Sequence, residues 1–234
     1  MFARPQQSTL SKNAAMSAKS PKNKGQQPAA HSSVSLAIPV MTAPAAIAGW
    51  QAAVERFIQQ WQGALQVLVY GIGVDQAELE GDNTLQALQE KADLIIQGGY
   101  PATGAALQAA AAEARHDHLL TWTGNDTVKP ETVRSWAARQ KGGLPEEEIL
   151  IAQRAVPDKA SRQALQDMEG KAAQRFRGTT NMRLRDPASP VKCYPTALAA
   201  YLFQQIPEHQ PCFEAAALHW AELDGIPVQE IPAN

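Results

Sequence analysis

Leu65-Gln-Val-Leu-Val-Tyr-Gly-Ile72 is a short apolar run rich in valine and closed by glycine on both sides, at Gly63 and Gly73. Its length and its glycine boundaries predict a buried strand rather than a helix. Before it, residues 50–63 place Val54, Phe57, Ile58 and Trp61 at helical spacing, and Gly63 ends that pattern. After it the two periods alternate. Residues 84–92 read as a helix with Leu85 and Leu88 on one face, and Asp93-Leu-Ile-Ile-Gln97 as a second buried strand stopped by Gly98-Gly99. An Ala-rich helix is predicted over 103–115 and a third strand over 118–123. Residues 129–141 read as a helix with Pro130 near its first turn. A fourth strand follows over 148–153 and a helix over 159–176.

Short continuous apolar runs between helical patterns indicate βαβ units and a parallel sheet. The expected fold is therefore α/β, a three-layer domain with a small, mainly parallel sheet of about four strands. Residues 50–178 form that domain. Residues 179–234 are punctuated by proline, carry helical patterns at 196–205 and 213–223, and are expected to cap one side of the sheet.

The 234 residues suit one domain with a tail, and a hydrophobic share of 44% excludes a chain disordered throughout. Two cysteines, Cys193 and Cys212, exclude a disulfide-rich scaffold and a four-cysteine zinc module. Cys193, His209, Cys212 and His219 offer four zinc ligand types, but no Cys-x-x-Cys spacing, so no metal is assigned to them. Residues 1–33 have almost no large apolar side chains and are expected to be a disordered basic arm. Residues 34–49 are apolar but too short to span a bilayer, and Pro39 and Pro44 would interrupt a helix there. They are expected to be an extended arm packed on the domain, in a cytoplasmic protein.

Charge is divided along the chain. Residues 1–54 contain five basic residues and no acid, and residues 193–234 contain five acids and no Lys or Arg. Between 154 and 192 stand nine basic residues against four acids. Within that block Lys171, Arg175, Arg177, Arg183 and Arg185 are suited to phosphate, with Phe176 available to stack on a base.

In open α/β sheets ligands sit beyond the carboxyl ends of the strands. That rule selects Gly73 and Asp75 after the first predicted strand, Gly98, Gly99, Thr103 and Gly104 after the second, and Asn125 and Asp126 after the third. A helix starting near Thr103 would aim unpaired N–H groups at a phosphate there. Gly99 and Gly104 have P-loop spacing, but Ala105-Ala106 replace its Lys and Ser/Thr, which disfavours an ordinary NTPase. Asp75 and Asp126 are the catalytic candidates, and they would hold Mg²⁺ if they converged.

The charge map leads to a first expectation of a non-catalytic accessory protein contacting nucleic acid or a larger protein assembly. The glycine loops support an alternative, an enzyme or sensor that binds a small phosphate-bearing or nucleotide-like ligand at the strand ends. A second alternative is a helix-turn-helix regulator using the helix at 129–141, which needs another helix at about 115–124.

Overall fold

The computed structural model of the chain describes residues 32–41, 45–123, 128–140, 143–154, 180 and 182–232. A seven-stranded mixed sheet organises them, in the order β3-β2-β1-β4-β6-β5-β7. The strands are β1 (Val34–Val40), β2 (Leu65–Ile72), β3 (Asp93–Tyr100), β4 (His118–Trp122), β5 (Ile149–Gln153), β6 (Val191–Pro195) and β7 (Val228–Pro232). β3, β2, β1 and β4 are mutually parallel, and β5 is parallel to β7. β6 runs antiparallel to both of its neighbours, β4 and β5.

The α/β class holds, but about four strands was too few. Residues 34–40, expected as an arm lying against the domain, are β1, paired along its whole length with β2 and over Val34–Ala37 with β4. Val34, Leu36, Ile38 and Val40 enter the core on one face of the sheet, and Ala37 enters it on the other. Pro39 is tolerated for a geometric reason. The Val34 N–H donates to the Ala64 carbonyl on the β2 side, so by alternation position 39 turns its missing N–H towards β4. The β4 ladder has already stopped at Ala37.

Helices cover both faces. On one lie α1 (Ala45–Gln60), α3 (Asn83–Gln89) and α5 (Glu131–Ala137), through Val54, Phe57, Leu85, Leu88 and Val133. The short α2 (Gln76–Glu80) precedes α3. On the other face lie α4 (Thr103–Glu113), α6 (Thr196–Gln204) and α7 (Phe213–Leu223). Ala106, Ala110 and Ala111 of α4 cover a β1 face that carries Ser35 and Ala37, with Pro39 at its end, small against small. Gln108 of α4 donates to the Phe203 and Ile206 carbonyls at 2.9 and 3.0 Å, covering the open end of α6.

The helix-turn-helix reading fails here. Residues 118–122, where its first helix is required, are β4, buried throughout and laddered to β1 and β6. The basic arm up to residue 31 and the helix expected over 159–176 lie outside the described residues. No helix among the described residues is long and apolar enough to cross a membrane.

Candidate functional site

The carboxyl ends of β2 and β3 are stitched to each other. The Gly73 N–H donates to the Tyr100 carbonyl at 2.9 Å, and the Gly99 N–H donates to the Val74 carbonyl at 2.7 Å. Both glycines have positive φ, 68° and 82°, with open space where a side chain would stand. Gly98 and Gly104 are bare for a different reason. A Cβ on Gly98 would run into the Gln76 backbone, and one on Gly104 into the Glu208 carbonyl and the Phe213 ring. These two positions serve chain packing. Asp75 is exposed at the start of α2 and makes no capping hydrogen bond.

Gly104 lets the loop between α6 and α7 lie on the first turn of α4, and a cavity of about 440 Å³ opens between them. Ile72, Thr103, Thr123, Ser189, Lys192 and Glu214 line it, together with residues 208–212. Of the residues selected from the sequence, Thr103 and its helix start stand in this wall, whereas Asp75 does not. Asn125 and Asp126 lie outside the described residues.

Its most polar wall is built from residues that sequence reasoning passed over. Lys192 sits on β6, 2% exposed, directly opposite Thr121 of β4. Its ammonium donates to Glu214 Oε2 at 3.2 Å and to the Ser189 carbonyl. The other oxygen of Glu214 accepts from Thr121 Oγ1 at 2.6 Å. An ammonium has three donors, so one hydrogen of Lys192 is left without an acceptor among the described residues. Glu214 stands in the first turn of α7, whose N-cap Cys212 is left-handed at φ 59°. The N-termini of α4 and α7, each eleven residues long, therefore both open on the cavity. Next to Lys192, burial pushes the Cys193 thiol up, which suits a packed side chain rather than a reactive one. Burial likewise holds the Tyr194 hydroxyl well above its ordinary range, with the Glu214 charge adding to the effect. A charge inside the apolar stretch Pro190-Val-Lys-Cys-Tyr194 was the available signal for this wall.

The described cations of the basic block divide into buried and exposed ones. Lys192 and Arg154 are buried and paired with Glu214 and Asp186. Arg183 and Arg185 are exposed, with their backbone amides held by Glu222 and Glu230. Lys171, Arg175 and Arg177 lie outside the described residues.

No protein-family model matches the chain, and no curated protein matches it in sequence. Solved structures do share its fold. The mannosyltransferase PcManGT of Pyrobaculum calidifontis, solved with GDP-mannose and Mn²⁺, is 9% identical with a TM-score of 0.58, over 88% of this chain and 59% of its own. Glucosyl-3-phosphoglycerate synthase of Mycobacterium tuberculosis, solved with UDP, is 15% identical with a TM-score of 0.51, over 88% and 72%. Residues 1–349 of TarS from S. aureus are 18% identical with a TM-score of 0.53, over 85% and 58%. The chain thus spans between 58% and 72% of the length of these proteins. What these likenesses show is a shared α/β fold. They also overturn the expectation of a non-catalytic protein that contacts nucleic acid through its basic segments, because two of these neighbours are a mannosyltransferase solved with GDP-mannose and a synthase solved with UDP.

Proposed function

We propose that this protein is an enzyme of the glycosyltransferase kind, which takes the diphosphate of a nucleotide sugar into the cavity at the carboxyl ends of β2, β3 and β4. The observation that carries this reading is the buried Lys192, with an unassigned hydrogen, in a cavity onto which two helix N-termini open. Backbone N–H groups at a helix start and a desolvated ammonium both favour an oxyanion. Glu214, fixed by Thr121 and Lys192, supplies a carboxylate that can accept a proton from an attacking hydroxyl.

Some solved neighbours hold Mn²⁺ or Mg²⁺. The described residues of this chain do not fit such an ion. They contain no group of three His, Cys, Asp or Glu side chains close enough to share one. Mg²⁺, expected only if Asp75 and Asp126 converged, is given no step.

Calorimetric titration of the full chain with UDP, GDP and their sugar conjugates tests the proposal. Binding is expected with a chelator present. Lys192→Met, made together with Glu214→Gln so that no buried charge is orphaned, should weaken it by about tenfold or more, the range of a charge-assisted hydrogen bond. Glu214→Gln alone should retain nucleotide binding and lose sugar transfer or hydrolysis. Absence of binding by every nucleotide and nucleotide sugar would overturn the proposal.

A further inference from the structure

A second cavity, of about 280 Å³, lies at the opposite, amino-terminal end of the sheet. It opens between the end of α1 and the last turn of α5, beneath the chain entering β1 and β2. Ser32, Gln60, Trp61, Gln62, Arg134 and Gln140 line it, with no carboxylate among the described residues of its wall.

Two of its donors lack acceptors. Arg134 is half-buried, its guanidinium makes no hydrogen bond or ion pair to any described residue, and its Nε is sealed from water without a partner. Trp61 Nε1 is likewise buried and unpartnered. The indole is held in place by stacking on Phe57, with ring centroids 5.3 Å apart. Ser32 Oγ is already engaged, accepting the Leu144 N–H at 2.9 Å. Glu131, one turn earlier on α5, lies 3.8 Å from Arg56 through Oε1, makes no ion pair with Arg134, and leaves Oε2 buried without a partner.

A guanidinium cannot discharge itself by losing a proton, so a largely desolvated one calls for an anion. Buried donors left unmade are uncommon, and each requires an account. We infer that this cavity is a binding site for a small oxyanion, a carboxylate or phosphate group, received by Arg134 with Trp61 beside it. The volume is at the small end of ligand pockets, which fits a compact metabolite rather than a nucleotide. This site is independent of the carboxyl-end cavity and does not rest on the function proposed there.

Melting temperature and tryptophan fluorescence of the full chain, in inorganic phosphate and in succinate against chloride at matched ionic strength, test the inference. A saturable rise in melting temperature is expected with at least one of the two anions. Arg134→Gln should weaken it by about tenfold or more. Ala138→Glu places a carboxylate one helical turn from Arg134. It should raise the melting temperature in chloride and abolish the anion response, and it decides the question alone if Arg134→Gln does not fold. No saturable response in the wild-type protein would overturn the inference, as would an undiminished response in Ala138→Glu. A response that survives Arg134→Gln but falls in Lys192→Met/Glu214→Gln would assign the anion to the other cavity and overturn it equally.

Discussion

A chain beginning at residue 50 should show no cooperative unfolding transition, whereas one beginning at residue 32 should melt like the full protein. The shorter cut spares every described contact of β1. The longer cut removes the strand that bridges β2 and β4, and with it the continuity of the sheet. Val34, Leu36, Ile38 and Val40 are at most 3% exposed. Burial of side chains of this kind is worth roughly 1.5–3 kcal/mol each, so their sum reaches a typical domain margin of about 5–15 kcal/mol. Unpaired edges on β2 and β4 add to the loss. Thermal melting followed by circular dichroism checks both cuts. A sharp transition in the chain from residue 50, within a few degrees of the full protein, would show that β1 is dispensable.

That strand also shows what local pattern conceals. β2, β4 and β5 are buried apolar runs and could be found one by one, because a strand covered on both faces needs no outside information to be recognised; the edge strand β3 shares the pattern through Leu94-Ile-Ile96. β1 alternates large and small residues around Pro39. Ser35 and Ala37 look unsuited to a core until the Ala-rich α4 is laid against them, and that fit is a long-range fact. β6 is wholly buried yet carries Lys192, and β7 is a half-covered edge strand bracketed by Pro227 and Pro232. Neither presents a local period, so both were absorbed into an expected cap.

The site divides along the same line. Thr103 was reachable because a helix start follows a strand end, a relation within one βα unit. Lys192 and Glu214 were not, since they meet only when β6 inserts antiparallel beside β4 and α7 returns across it. Gly98 and Gly104 drew attention as places where a backbone could approach a ligand. In the structure each is approached by the chain itself, a distinction that sequence cannot make. The basic block misled for a related reason. Counting charges along the chain gives no weight to burial, and two of its cations are neutralised inside the protein.

The second of those buried pairs predicts the largest effect of a single substitution. Asp186→Ala should destabilise the protein by about 3–5 kcal/mol, because it removes two charge-assisted hydrogen bonds, worth about 1.5–3 kcal/mol each, from a buried pair. Arg154 and Asp186 are 7% and 5% exposed. Oδ2 of Asp186 accepts the Arg154 backbone N–H at 3.0 Å and its Nε at 2.9 Å, and Oδ1 accepts from the second guanidinium nitrogen. The Asp186 amide in turn donates to Glu230 of β7 at 2.8 Å. One carboxylate thus fastens the end of β5, and one residue ties it to β7 and to the segment that enters β6. Alanine leaves a guanidinium that stays charged at every working pH. At roughly 2–4 °C per kcal/mol for a domain of this size, the melting temperature should fall by about 6–20 °C. Arg154→Met/Asp186→Leu should recover much of that loss, because removing both charges spares the desolvation of either. Residues 187–189, next to Asp186, line the carboxyl-end cavity with Lys192. Asp186→Ala should therefore also weaken nucleotide binding at temperatures where the variant is still folded. A melting temperature within one degree of wild type would mean that Arg154 finds another acceptor, and that this pair does not anchor the cavity wall.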